Sequence, residues 1–279
     1  VVAFEQSLID NFELVLANPA PPGRQKEQVV QDFLENHSAL IPTPNLLHHG
    51  LHFELILSKF PISTELITDY VYITKSSDTW RITLVELESP DKKIFTNNLK
   101  GATLSAAFNA ALAQVRSWKI FLANDKQELI RRLKPLLQPL GMSGNPIEFN
   151  YQLIIGRSAE KNLAADRKKI FREVINESGI EIMTYDQIIA RYKTDRRHEK
   201  LVARISGSQF WLSHMPFSPN QILAYLGPAD LKLTQEQIDH LNADGYEMDK
   251  WKGGELLTLN WKYAPSSDDF DPLGGLIKS

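Results

Sequence analysis

The sequence predicts an α/β protein, a mixed sheet flanked by helices, and two observations predict it. Three successive β-rich runs, 51–61, 66–74 and 80–88, follow one another without an intervening helix, and a strand–helix–strand order recurs over 149–183. The first arrangement favours an antiparallel meander. The helix inside the second favours parallel pairing of its two strands.

The elements follow in chain order. Phe4, Leu8, Phe12 and Val15 recur at helical spacing, and Pro19-Ala20-Pro21-Pro22-Gly23 then forms a break that no helix crosses. A second helix over 24–35 groups Val29, Val30, Phe33 and Leu34 and carries Glu27 near its first turn. After the meander, 103–123 reads as a long alanine-rich helix with Ala107, Ala110, Ala111, Gln114, Trp118 and Phe121 on one face. A strand over 149–155, a helix over 159–176, a short strand over 180–183 and a helix from Thr184 complete the central part. Strands at 201–205 and 210–212, a helix near 234–244 and a loosely held tail at 266–279 follow. The expected division is 1–23 as N-terminal helix and Pro-rich linker, 24–195 as the main domain, and 196–279 as a C-terminal extension.

Composition narrows the function classes. Among 279 residues, 31 Lys and Arg stand against 34 Asp and Glu, so a net charge of -3 gives no global attraction for DNA or an anionic membrane. Cysteine is absent, which removes disulfides, thiolate zinc sites and thiol nucleophiles and fits a cytoplasmic setting. No run approaches the ~20 apolar residues of a membrane span. No membrane partner is expected.

The strand over 80–88 is the most informative segment. Its period of two places Trp80, Ile82, Leu84, Glu86 and Glu88 on one face, and Pro90 ends it just after the two carboxylates. If it forms a hairpin with the preceding strand, Asp69 falls opposite the region of Glu86. Three carboxylates gathered in this way raise one another's pKa unless a cation joins them. Oxygen donors without cysteine point to Mg2+ or Mn2+; solvated glutamates at a strand end are the alternative. Gln114, the one polar member of its helix stripe, is a candidate hydrogen-bond partner of a carboxylate, with a stripe-edge position as the alternative. Glu27 is either a further acidic partner or a first-turn glutamate stabilised by the helix dipole.

These residues carry a resemblance. Glu27 on a helix, Asp69 on a strand, Glu86-x-Glu88 ending the next strand and Gln114 on a following helix resemble the order of a PD-(D/E)xK restriction-endonuclease-like core. Within it the chain resembles the Shedu antiphage defence proteins. The cues are residues 33–37 (FLENH), Thr68-Asp69-Tyr70, 84–90 (LVELESP), 114–118 (QVRSW), 154–157 (IIGR) and 181–186 (EIMTYD).

The resemblance implies a Mg2+-dependent DNA endonuclease in antiphage defence. Asp69 and Glu86, together with Glu88, would bind metal, with Gln114 positioning the water or Glu86 and Glu27 behind them. It departs from the pattern at Glu88, where the motif has lysine; Lys92, Lys93, Lys100 and Arg116 are candidate substitutes. DNA contacts are expected from Arg116, Arg157, Lys168 and Lys169, and a homo-oligomer is expected. The alternative is a catalytically weakened DNA-binding or sensing subunit of a defence complex. His48, His49 and His52 are read as loop or surface histidines.

Overall fold

The computed structural model describes residues 2–97, 101–137 and 142–257. Lys100 and the 266–279 tail lie outside the described residues. Among those described, eight strands form one mixed sheet: β1 (Leu51–Pro61), β2 (Ile67–Lys75), β3 (Trp80–Leu87), β4 (Ile147–Ile154), β5 (Glu181–Met183), β6 (Leu201–Ser206), β7 (Gln209–His214) and β8 (Leu231–Lys232), in the order β5-β4-β3-β2-β1-β6-β7-β8. The meander β1-β2-β3 is antiparallel, β3-β4-β5 is parallel, and β1 also pairs parallel with β6. Residues 201–232 thus extend the same sheet.

Helices cover both faces because the strands alternate two apolar sets. Tyr70, Tyr72, Val85 and Leu87 pack against α1 (Gln6–Ala17), α2 (Lys26–Asn36) and α7 (Tyr185–Thr194). Val71, Ile73, Ile82 and Leu84 meet α3 (Ala106–Asn124), α4 (Gln127–Leu133), α6 (Ala165–Ser178) and the C-terminal helices α8 (Asn220–Leu223), α9 (Gln235–Ala243) and α10 (Met248–Lys252). The single helix expected over 159–176 is instead two, α5 (Ser158–Asn162) and α6, divided where Ala164 adopts an extended backbone.

Strand direction gathers several strand ends on one rim. The carboxyl ends of the parallel strands β3, β4 and β5 lie along the same edge, where β2 begins and β1 ends. Open α/β sheets bind ligands beyond such strand ends. Glu88 N–H donates to the Ile154 carbonyl (2.8 Å), Ile155 N–H to that of Met183 (2.9 Å), and the Tyr185 hydroxyl to that of Glu88 (2.7 Å), so the loops leaving the three strands are tied together.

Candidate functional site

Asp69 and Glu86 come from facing strands. The β2–β3 register pairs Tyr70 with Val85, and continuing it one step sets Asp69 beside Glu86. Both are buried, at 5% and 7% exposure. Asp69 Oδ2 accepts from the Leu87 N–H at 2.7 Å, and Oδ1 is ion-paired with Lys59 Nζ. Burial pushes the Asp69 carboxyl above its ordinary range, against the opposing pull of Lys59.

Among the described residues Glu86 has no ion-pair partner of its own. Its Oε1 accepts from Gln114 Nε2 at 2.5 Å. Burial first, and then repulsion from Asp69, Glu88 and Glu27, pushes its carboxyl well above the usual carboxylate range. Glu88, just past the end of β3, is buried and ion-paired with Lys92. Glu27, half-buried in the first turn of α2, is also pushed up by burial and by Asp69 and Glu88. The four acids therefore share one electrostatic neighbourhood.

Gln114 reaches the site from a different position than its stripe suggests. The face of α3 that packs inward is Phe108, Ala111, Leu112, Val115, Trp118 and Leu122, and Gln114 is exposed beside it. The larger apolar side chains rather than the alanines set the rotation of the helix, because they remove more surface from water. A long amide at the edge of the stripe still spans the gap to Glu86.

Lys59 is the residue that sequence reasoning missed. It has a left-handed backbone (φ 48) inside β1, a conformation that costs a non-glycine residue of order 1–3 kcal/mol and is tolerated where neighbours enforce it. The turn breaks the strand's alternation: Phe53, Leu55 and Leu57 join one core cluster, and beyond it Phe60 and Ile62 join the same cluster. Lys59, at the break, is delivered to Asp69. That change from odd to even apolar positions is legible in the sequence and was the available signal.

The other expected residues separate. Lys93 donates to Asn97 Oδ1 (2.9 Å), and Arg116, Lys168 and Lys169 are exposed. Arg157 is a clamp: it donates to Asp186 Oδ1 and to Glu13 Oε2, each at 2.8 Å, joining the loop after β4 to α7 and α1. Gly156 before it has φ +63, and an added Cβ would lie 2.6 Å from the Lys92 carbonyl, so glycine lets the two strand-end loops touch. His48 and His49 are exposed, but His52 is buried in β1, shares a hydrogen bond with the Leu136 carbonyl (2.8 Å), and has its pKa pushed by burial down to about 3. Its apolar strand neighbours carry it inward, correcting the surface reading.

Among the described residues, no group of three or more His, Asp or Glu side chains is arranged as a ready metal set. The donor chemistry nevertheless suits a hard divalent cation: carboxylate oxygens, buried and mutually repelling, with one acid lacking a cationic partner.

A family model described as the C-terminal region of Shedu protein SduA matches residues 24–189. No curated protein matches the chain. The matched span runs from the helix bearing Glu27 to the helix bearing Asp186 and covers more than half of the sequence, and the chain belongs to the Shedu family.

Proposed function

We propose that the chain acts in antiphage defence, as Shedu membership implies, as a metal-dependent DNA endonuclease of PD-(D/E)xK type. The observation that carries this reading is the buried, unneutralised Glu86 beside Asp69 at the strand-end rim. Asp69 and Glu86, with Glu88, would hold Mg2+ or Mn2+. When bound, such an ion supplies Lewis acidity toward phosphate oxygens and toward water.

The chain's own groups do the rest. Lys59 holds the Asp69 carboxylate in place and offers positive charge where negative charge grows on the phosphate, the part the motif lysine plays elsewhere. Gln114 fixes the orientation of Glu86. Glu27 adds negative potential that favours cation uptake. Exposed Arg116, Lys168 and Lys169 supply phosphate contacts, whereas Arg157 is already engaged by two carboxylates. We extend the reading to a cytoplasmic homo-oligomer. Among the described residues no helix is long and apolar enough to cross a membrane.

The test is cleavage of supercoiled, linear and single-stranded DNA by the purified chain with Mg2+ or Mn2+. Wild type should cut and Asp69→Ala or Glu86→Ala should lose at least about 10²-fold in rate while remaining folded. Equal cleavage by all three proteins overturns the assignment. The second reading, a DNA-binding or sensing subunit with a weakened site, is favoured by Glu88 standing in place of the motif lysine and pairing with Lys92. It predicts DNA binding without cutting under every condition.

A further inference from the structure

A cavity of about 320 Å³ opens between α5, α6 and α7, away from the acidic cluster's own side chains. Its polar lining is dominated by donors. Lys161, Lys168 and Arg172 all border it, and among the described residues none of the three has an ion-pair partner. The Gln187 amide borders it too, and its Oε1 is consumed by the Thr184 N–H (2.9 Å) in the cap of α7, which leaves the amide N–H groups to serve as donors. Asn162 can present either end of its amide. Asp186, the acid whose charge acts on Lys161, is already held by Arg157 and by the Ser158 N–H.

The floor has a different character. Phe171 and Ile175 supply apolar surface, and the Lys161 ammonium stands 5.2 Å from the centre of the Phe171 ring. Burial, together with the nearby Lys168, draws the Lys161 pKa below its ordinary value, although Asp186 opposes this. Three like charges therefore border the recess, and Asp186, whose charge reaches Lys161, is already engaged by Arg157. Ligand pockets begin at roughly 300 Å³, so this one is the size for a small molecule rather than a large cofactor.

We propose that this cavity binds a free nucleoside phosphate, with Lys161, Lys168 and Arg172 on the phosphate and Phe171 and Ile175 beneath the base. The proposal goes beyond the nuclease reading, in which Lys168 contacts DNA phosphate, and is separable from it, since binding of a free nucleotide is measured without cleavage.

The experiment titrates the full chain, in EDTA, with deoxyadenosine monophosphate, with ATP, with inorganic phosphate and with a short single-stranded oligonucleotide carrying a terminal phosphate. Nucleotide Kd values below about 1 mM, at least about tenfold tighter than for inorganic phosphate, are expected. Lys168→Glu and Arg172→Glu should each weaken binding by about tenfold or more, and Lys232→Glu on distant β8 should not. Lys168 and Arg172 are exposed, so both variants should melt like wild type. If free nucleotides fail but the oligonucleotide binds and the same variants weaken it, these residues contact a DNA backbone and the proposal is overturned. Absence of nucleotide binding, binding indifferent to both variants, or equal affinity for inorganic phosphate likewise overturns it.

Discussion

Two acidic regions stand side by side where the parallel strands end, and they solve the problem of a carboxylate at low hydration in opposite ways. At the clamp, Asp186 receives Arg157 Nε and Nη2 and the Ser158 N–H, while the same guanidinium also reaches Glu13. Burial pulls the Asp186 carboxyl up, but these donors outweigh it and hold the group below its ordinary value. At the neighbouring rim, among the described residues, four acids share two lysines and Glu86 receives only an amide. Its carboxyl is pushed up, not down. The clamp is electrostatically complete, whereas the rim is stabilised by whatever positive charge arrives.

The contrast can be broken most sharply at Lys59. Lys59→Met should slow DNA cleavage by about 10²-fold, with Lys59→Arg recovering part of the loss, because a charge directed at the phosphate is removed and then replaced with altered geometry. Cleavage unaffected by Lys59→Met would leave Lys59 as a structural partner of Asp69 only. A second measure is the pH dependence of Mg2+ binding. If the rim takes up a cation, the proton held by Glu86 must leave, so calorimetric affinity should rise from pH 6 to pH 8, by up to about tenfold per unit for each proton released. A flat profile would argue against Glu86 as a ligand.

Stability gives the smaller effects, with opposite signs for the two regions. A carboxyl whose folded pKa is raised costs stability as pH climbs from its ordinary 4.5 toward the folded value. Glu86→Gln should therefore match wild type near pH 4 and exceed it by about 1–3 kcal/mol at pH 7–8 in urea unfolding. Asp186 behaves in reverse: its contribution is present above its ordinary 3.8 and is lost as pH falls through the depressed folded value. Asp186→Asn should cost only about 1 kcal/mol at neutral pH, since the side chain is a third exposed and solvent screens the pair. A gain in stability from Asp186→Asn would erase the distinction between the regions.

What the sequence made legible was local. The alternation of Trp80, Ile82 and Leu84 carried Glu86 to the correct face, and a short turn between β2 and β3 brought Asp69 to it. The Gln114–Glu86 contact was foreseen, but the rotation of α3 was not, because alanines were given the weight that Phe108, Leu112 and Val115 hold in packing. Arg157 showed the opposite difficulty. A glycine–arginine turn after a strand suggests a phosphate contact, yet its partners lie 29 and 144 positions away, and no local pattern announces them. Lys59 was hidden by a backbone conformation that side-chain periodicity does not encode directly.

Strand β1 has one neighbour from each part of the chain: antiparallel β2 inside the matched span and parallel β6, which begins at Leu201. A polypeptide ending at 189 would strip β6 from Leu55, Ile56 and Leu57 and turn the middle of the sheet into an open border. Unpaired N–H and C=O groups on a long apolar strand recruit strands from other molecules. The segment that carries the family signature is therefore not the segment that remains dispersed by itself, and trimming the protein to its recognisable part would convert a strand that positions Lys59 into a seed for aggregation.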